Sequence, residues 1–189
     1  MLIGLLALQG AFREHQFLLD KCGVASRQVR KPSELEGVDA LVIPGGESTT
    51  MGKLLNSFNL MQPIKDLANQ GMPIFATCAG LIMLAKHIRN SKQETIALMD
   101  IEVERNAYGR QVDSFETDLD IPVLGDEPYR AIFIRAPYIT EVAKSVNVLA
   151  SCEDKIVCVS QGRFLAAAFH PELTGDVRMH RFFIENIAK

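Results

Sequence analysis

A chain of 189 residues, 48% of them hydrophobic, is long enough to bury a substantial core and falls within the size of one domain, read here as residues 1–189. Its 20 Lys and Arg against 23 Asp and Glu leave a net charge of −3 with the signs interspersed, which argues against nucleic acid or an anionic membrane as the main partner. Cys22, Cys78, Cys152 and Cys158 have neither metal-ligand nor disulfide-framework spacing, so a reducing, cytoplasmic setting is expected, with all but Cys78 serving as packing residues.

Residues 2–8 form a nearly unbroken apolar run that lacks a basic flank and stops well short of membrane-spanning length, and they predict a first, doubly covered parallel strand. Gln9-Gly10 opens a helix that runs to about Lys21 and is stopped by Gly23. Strands are expected over 25–29 and 39–43, and helices over 49–58 and 61–70. A buried strand follows at 73–76, then a sharp turn at Thr77-Cys78-Ala79-Gly80 and an apolar helix to Ala85. This alternation predicts an α/β fold, an open and mainly parallel sheet with helices on both faces. Ligands of such sheets bind beyond the carboxyl ends of the strands, which puts Gln9-Gly10, Gly45-Gly46 and Cys78 on one rim. After Arg89 the pattern turns to alternation. Strands at 101–105, 112–117, 131–135 and 146–150, and a hairpin of 156–160 with 164–169, are expected to extend the same sheet, and 176–188 to form a terminal helix.

Three stretches carry the chemistry. Cys78 at a strand-to-helix corner is held exposed on a tight turn, and the helix start beside it supplies backbone N–H groups suited to an oxyanion. His170 ends an apolar strand, and Glu172 lies two residues on across Pro171, so nucleophile, base and orienting carboxylate are all available. The Gly45-Gly46 loop is neither a P-loop nor Gly-x-Gly-x-x-Gly, and its backbone can aim N–H groups into the site, so Gly46 and Ala79 are the expected oxyanion donors. His15, His87 and His180, placed on helices, read as surface or packing residues.

Cys78-Ala79-Gly80, Pro44-Gly45-Gly46-Glu47 and His170-Pro171-Glu172 resemble the triad (class I) glutamine amidotransferases. Segments 8–15, 44–52, 104–111, 133–137 and 169–174 narrow this to the glutaminase subunits of pyridoxal 5′-phosphate synthases, a resemblance that covers the whole chain. It implies that Cys78 attacks the side-chain amide of L-glutamine, His170 passes the proton to departing ammonia and Glu172 orients His170. It further implies that Gly46, Glu47, Ser48, Arg105, Ile134 and Arg135 bind glutamine, with Gly10 a further contributor to the oxyanion hole once a partner docks. No cofactor or metal is implied. The implied partner is a synthase subunit, a (β/α)8 barrel that receives the ammonia. The competing readings are a glutaminase of another biosynthesis, a cysteine peptidase and a non-catalytic binding module. The two arginines favour a free amino acid over an extended peptide.

Overall fold

The computed structural model describes residues 1–105 and 114–189. Its centre is a parallel block formed by β1 (Leu2–Leu6), β2 (Ala25–Val29), β3 (Ala40–Ile43) and β4 (Ile74–Thr77), joined by β12 (Phe164–Ala167) in the order β2-β1-β3-β4-β12. The residues of β3 and β4 are all buried, as expected of strands covered on both faces. Beyond β12 the sheet turns antiparallel through β11 (Lys155–Gln161), β9 (Tyr138–Val142) and β6 (Met99–Glu104). At the far edge β5 (Ala85–Ile88) runs parallel to β6, while β10 (Asn147–Cys152) pairs with β11. The β11–β12 hairpin forms as expected from its two-residue turn.

The helices on the parallel block are α1 (Phe12–Lys21), α2 (Ser48–Ser57), α3 (Met61–Asn69) and the six-residue α4 (Ala79–Leu84). The first three end alike. Val24 N–H reaches Leu19 O and Gly23 N–H reaches Asp20 O after α1, Leu60 and Asn59 repeat the pattern after α2, and Met72 and Gly71 repeat it after α3. Gly23, Asn59 and Gly71 all have positive φ, so each helix stops in a Schellman motif on a residue that tolerates the left-handed turn. Phe75 and Thr77 point to one face of β4, and there Phe75 packs on His15 of α1 and on His180 and Phe183 at the end of the chain. Burying that phenyl ring contributes about 2 kcal/mol.

Several expectations shift. The first strand ends at Leu6 rather than residue 8, and α1 begins at Phe12 because Gly10, at φ +84°, lies outside helical geometry. His87 lies on a strand, β5, and not on a helix. The terminal helix is α5 (Arg178–Phe182) followed by a π-helical turn over Phe183–Ile187. The strands expected at 112–117 and 131–135 do not join the large sheet. β7 (Ser114–Leu119) and β8 (Tyr129–Ile134) pair only with each other, as a two-stranded ribbon clamped by stacking of Phe115 on Phe133. The ribbon is tied to the sheet by His170 N–H, which donates to Ile132 O at 2.8 Å. This bond also explains why β12 stops at Ala167, since the chain must leave the sheet to reach β8. No helix of the described residues is long and apolar enough to cross a membrane.

Candidate active site

The parallel strands deliver their next residues to one rim. β4 continues its pairing with β12 as far as the nucleophile candidate, where Cys78 N–H donates to Ala167 O at 2.8 Å. The chain then turns with Cys78 at φ 48°, ψ −106°, a backbone state that costs a residue bearing a Cβ about 1–3 kcal/mol and is kept only where the surroundings enforce it. Gly80 is part of that enforcement. A Cβ there would lie 2.2 Å from Ile43 O, so only glycine lets α4 settle this closely on the end of β3.

His170 Nδ1 lies 2.7 Å from Glu172 Oε1, and both side chains are almost wholly buried. The ring's other nitrogen is thereby left for Cys78, which borders the same cavity as the imidazole. Burial works against a charge on His170, but the hydrogen bonds to Cys78 and Glu172 and the Glu172 charge outweigh it and raise its pKa to about 10. For Glu172 burial opposes ionisation, yet the His15 and His170 rings facing it win and hold the carboxyl below its ordinary value. Cys78, His170 and Glu172, the three side chains singled out in the sequence, are thus brought together. The glycine loop is equally close, because a Cβ on Gly45 would lie 2.4 Å from His170 Cε1 and 3.3 Å from Cys78 Cβ.

A cavity of about 660 Å³ opens over these groups. Gly46, Glu47, Ser48, Arg105, Ile134 and Arg135 all line it, together with Cys78 and His170. Ile134 O stands 3.8 Å from Cys78 Sγ, so the β8 ribbon forms the roof. Arg105 is steadied at the mouth by Gln93 Oε1, 2.9 Å away, and Thr49 Oγ1. The Glu47 carboxylate is already engaged: it accepts from Thr49 and Thr50 N–H at 2.9 and 2.7 Å and caps α2. Gln9 Oε1 accepts from Glu47 N–H, and Gly10 lies against the Gly45 carbonyl, so the β1–α1 turn backs the glycine loop. Ala79 is the first residue of α4, so its N–H is one of those that a helix leaves without an intrahelical acceptor.

Sequence reasoning missed Ile82 and Ser114 in the lining, and Gln93 behind Arg105. Ile82 had a signal, since it falls one helical turn after Cys78. Ser114 and Gln93 had none, because only the ribbon and the 91–98 loop bring them in. His15 and His180, read as surface or packing residues, are buried and polar: they bond to each other, and His15 abuts Glu172. Segment 106–111, on which part of the resemblance rests, lies outside the described residues.

Cysteine, histidine and glutamate, all buried, meet at the carboxyl rim of such a sheet, the side-chain types that amide chemistry through a thiol requires. A profile of the SNO glutamine amidotransferase family matches residues 5–189, and the chain belongs to that family. It is 64% identical, over its full length and 96% of the relative, to a pyridoxal 5′-phosphate synthase subunit PdxT of Pelotomaculum thermopropionicum. It is 58% identical, over its full length and 99% of the relative, to a protein of the same name from Carboxydothermus hydrogenoformans. A crystal structure of a glutamine amidotransferase superposes with a TM-score of 0.93 at 46% identity, covering 98% of each chain.

Proposed function

We propose that the chain hydrolyses L-glutamine to L-glutamate and ammonia as the glutaminase subunit of a pyridoxal 5′-phosphate synthase, in the biosynthesis of vitamin B6. The observation that carries the reading is the juxtaposition of Cys78 and a His170 that is itself held by Glu172, both packed against Gly45, with a cavity bearing two arginines. Cys78 Sγ attacks the amide carbon. His170 takes the thiol proton and gives it to the leaving ammonia, and a water then cleaves the thioester with the same imidazole as base. N–H groups of Gly46 and Ala79 stabilise the oxyanion, with Gly10 supporting the loop from behind. Arg105 and Arg135 hold the α-carboxylate, and Glu47, Ser48 and the Ile134 backbone complete the amino-acid pocket. One domain, residues 1–189, carries all of this. The four unpaired thiols suit a reducing compartment, and we place the protein in the cytoplasm.

Ammonia released to bulk water would be lost, so the partner is a synthase subunit, a (β/α)8 barrel that docks on the site's rim. The glycine loop at Gly45-Gly46 rests on the side chain of Gln9, whose Nε2 is buried without a partner among the described residues, and docking there would complete the oxyanion hole. The experiment is steady-state glutamate production by the purified chain alone and titrated with the synthase. Turnover should rise by more than about tenfold, or 1.4 kcal/mol of transition-state stabilisation. Full activity in isolation, unaltered by the synthase, would show a site organised without its partner.

A further inference from the structure

Glu172 has two oxygens, and the triad uses one. Oε1 binds His170, while Oε2 is buried, accepts no aligned hydrogen bond among the described residues, and lies 3.3 Å from His15 Nε2. A carboxylate oxygen left bare in a protein interior loses its hydration without recompense, so whatever faces it controls how firmly the carboxylate keeps its charge and its direction.

His15 comes from α1, 157 residues earlier in the chain, and is wholly buried. Its Nδ1 is 2.9 Å from His180 Nε2, and its Nε2 is 3.1 Å from Thr77 Oγ1. The protons on these rings follow from what is unpaired. His180 Nδ1 is buried with no partner among the described residues, and a bare lone pair costs less there than an orphaned N–H, so the proton of His180 belongs on Nε2 and is donated to His15 Nδ1. His15 must then carry its own proton on Nε2. That nitrogen is bonded to the hydroxyl of Thr77, the residue before Cys78, and lies 3.3 Å from Oε2 of Glu172.

We infer that His15 is a positioning residue of this site: oriented by His180 and by Thr77, its Nε2 edge faces the second oxygen of Glu172 at 3.3 Å, so that the carboxylate has an imidazole beside each of its oxygens. The inference rests on the triad reading given above. Burial lowers the pKa of both His15 and His180, Glu172 partly opposing this at His15, in keeping with two neutral rings that relay a dipole. The titratable groups facing this cluster from the packed elements are His170 and Glu172, His180 of α5, Tyr129 of β8 and Glu14 of α1 itself.

The test compares His15→Asn with His15→Gln in the full chain. An Asn amide sits where Nδ1 was and keeps a partner for His180, whereas a Gln amide reaches the Nε2 position. The readout is the titration of His170 followed by ¹⁵N imidazole NMR, which does not depend on turnover. In His15→Asn the less well-held carboxylate should let His170 titrate at least about one pH unit lower, and kcat/KM for glutamine should fall about tenfold, while His15→Gln stays within about 0.3 unit and threefold of wild type. Because the effect passes through Glu172, His15→Asn should add no shift in a Glu172→Gln background. If His15→Asn does not fold, His180→Leu is read the same way and should move His170 in the same direction. Equal titrations in the Asn and Gln variants, an unmoved His170 in His180→Leu, or a shift that persists without the Glu172 carboxylate would overturn the role. Wild-type protein unable to hydrolyse glutamine even with the synthase present would instead refute the function, with the titration still reporting on His15.

Discussion

Cys78 occupies a backbone state that suits its reactivity and not its comfort. At an ordinary position, replacing Ala by Gly loses about 0.5–1 kcal/mol through chain entropy. At φ 48° the order should reverse, so Cys78→Gly should unfold at least as high in urea as Cys78→Ala, with both inactive. If Cys78→Gly were the less stable by the usual margin, the turn would carry no strain. Gly45 makes a second test. Because a Cβ there would meet His170 Cε1 at 2.4 Å, Gly45→Ala should push the imidazole out of line with Cys78 and lower kcat at least about tenfold, with a smaller change in KM. Wild-type kcat in steady-state assays would mean that the ring has room to move. Both residues were visible in the sequence as small or reactive side chains at turns. The contact between Gly45 and His170 was not, since it joins positions 125 residues apart.

Among the elements, α2 is where the site and the fold share a side chain. Its N-terminus carries no Ser, Thr, Asp or Asn cap of the usual kind. Glu47 takes that place, bound by Thr49 and Thr50 N–H and by the Thr50 hydroxyl. The Thr50 hydroxyl is the first cause, and against a modest cost of burial these bonds bring the Glu47 carboxyl down to about 2. A depressed carboxyl stabilises the fold above its unfolded pKa and ceases to do so as the pH falls toward the folded one. Glu47→Gln should therefore cost about 0.5 kcal/mol at pH 7, a cap contribution discounted for an exposed group, and the difference from wild type should vanish between pH 4.5 and about 2. Urea denaturation at several pH values measures this; a cost independent of pH would mean that shape, not charge, makes the cap. The β7–β8 ribbon is the element that sequence patterning placed wrongly. Alternation identifies a strand but not its neighbour, and the ribbon's position depends on the Phe115–Phe133 stack and the His170–Ile132 bond.

At the scale of the molecule, the triad charges link stability to pH. His170 has its pKa raised from 6.5 to about 10, so its contribution is complete below pH 6.5 and is lost as the pH climbs through 10. Glu172 is lowered from 4.5, so its contribution is complete above that value and lost on acidification. Thermal stability should accordingly plateau between about pH 4.5 and 6.5 and fall on both sides. In calorimetry across pH, His170→Asn should flatten the alkaline flank and Glu172→Gln the acid one. Flanks of wild-type steepness in both variants would assign the pH dependence to other groups.

What the sequence by itself determined are features set by a few adjacent residues: the buried strands with their apolar runs, the helix stop at Gly23, the corner around Cys78 and the His-Pro-Glu turn that lets a carboxylate reach the imidazole two residues before it. Local sterics and short-range hydrogen bonds decide these, so they can be read from neighbours. Only the tertiary structure decided that Ile134 roofs the nucleophile, that Ile82 and Ser114 enter the lining, and that His15, from the first helix, abuts Glu172 near the end of the chain. A buried histidine on an apolar helix face has the same pattern whether it fills space or holds a carboxylate. The difference lies in which polar atom is left unpaired beside it, and that is settled by how the first and last helices pack on one face of the sheet.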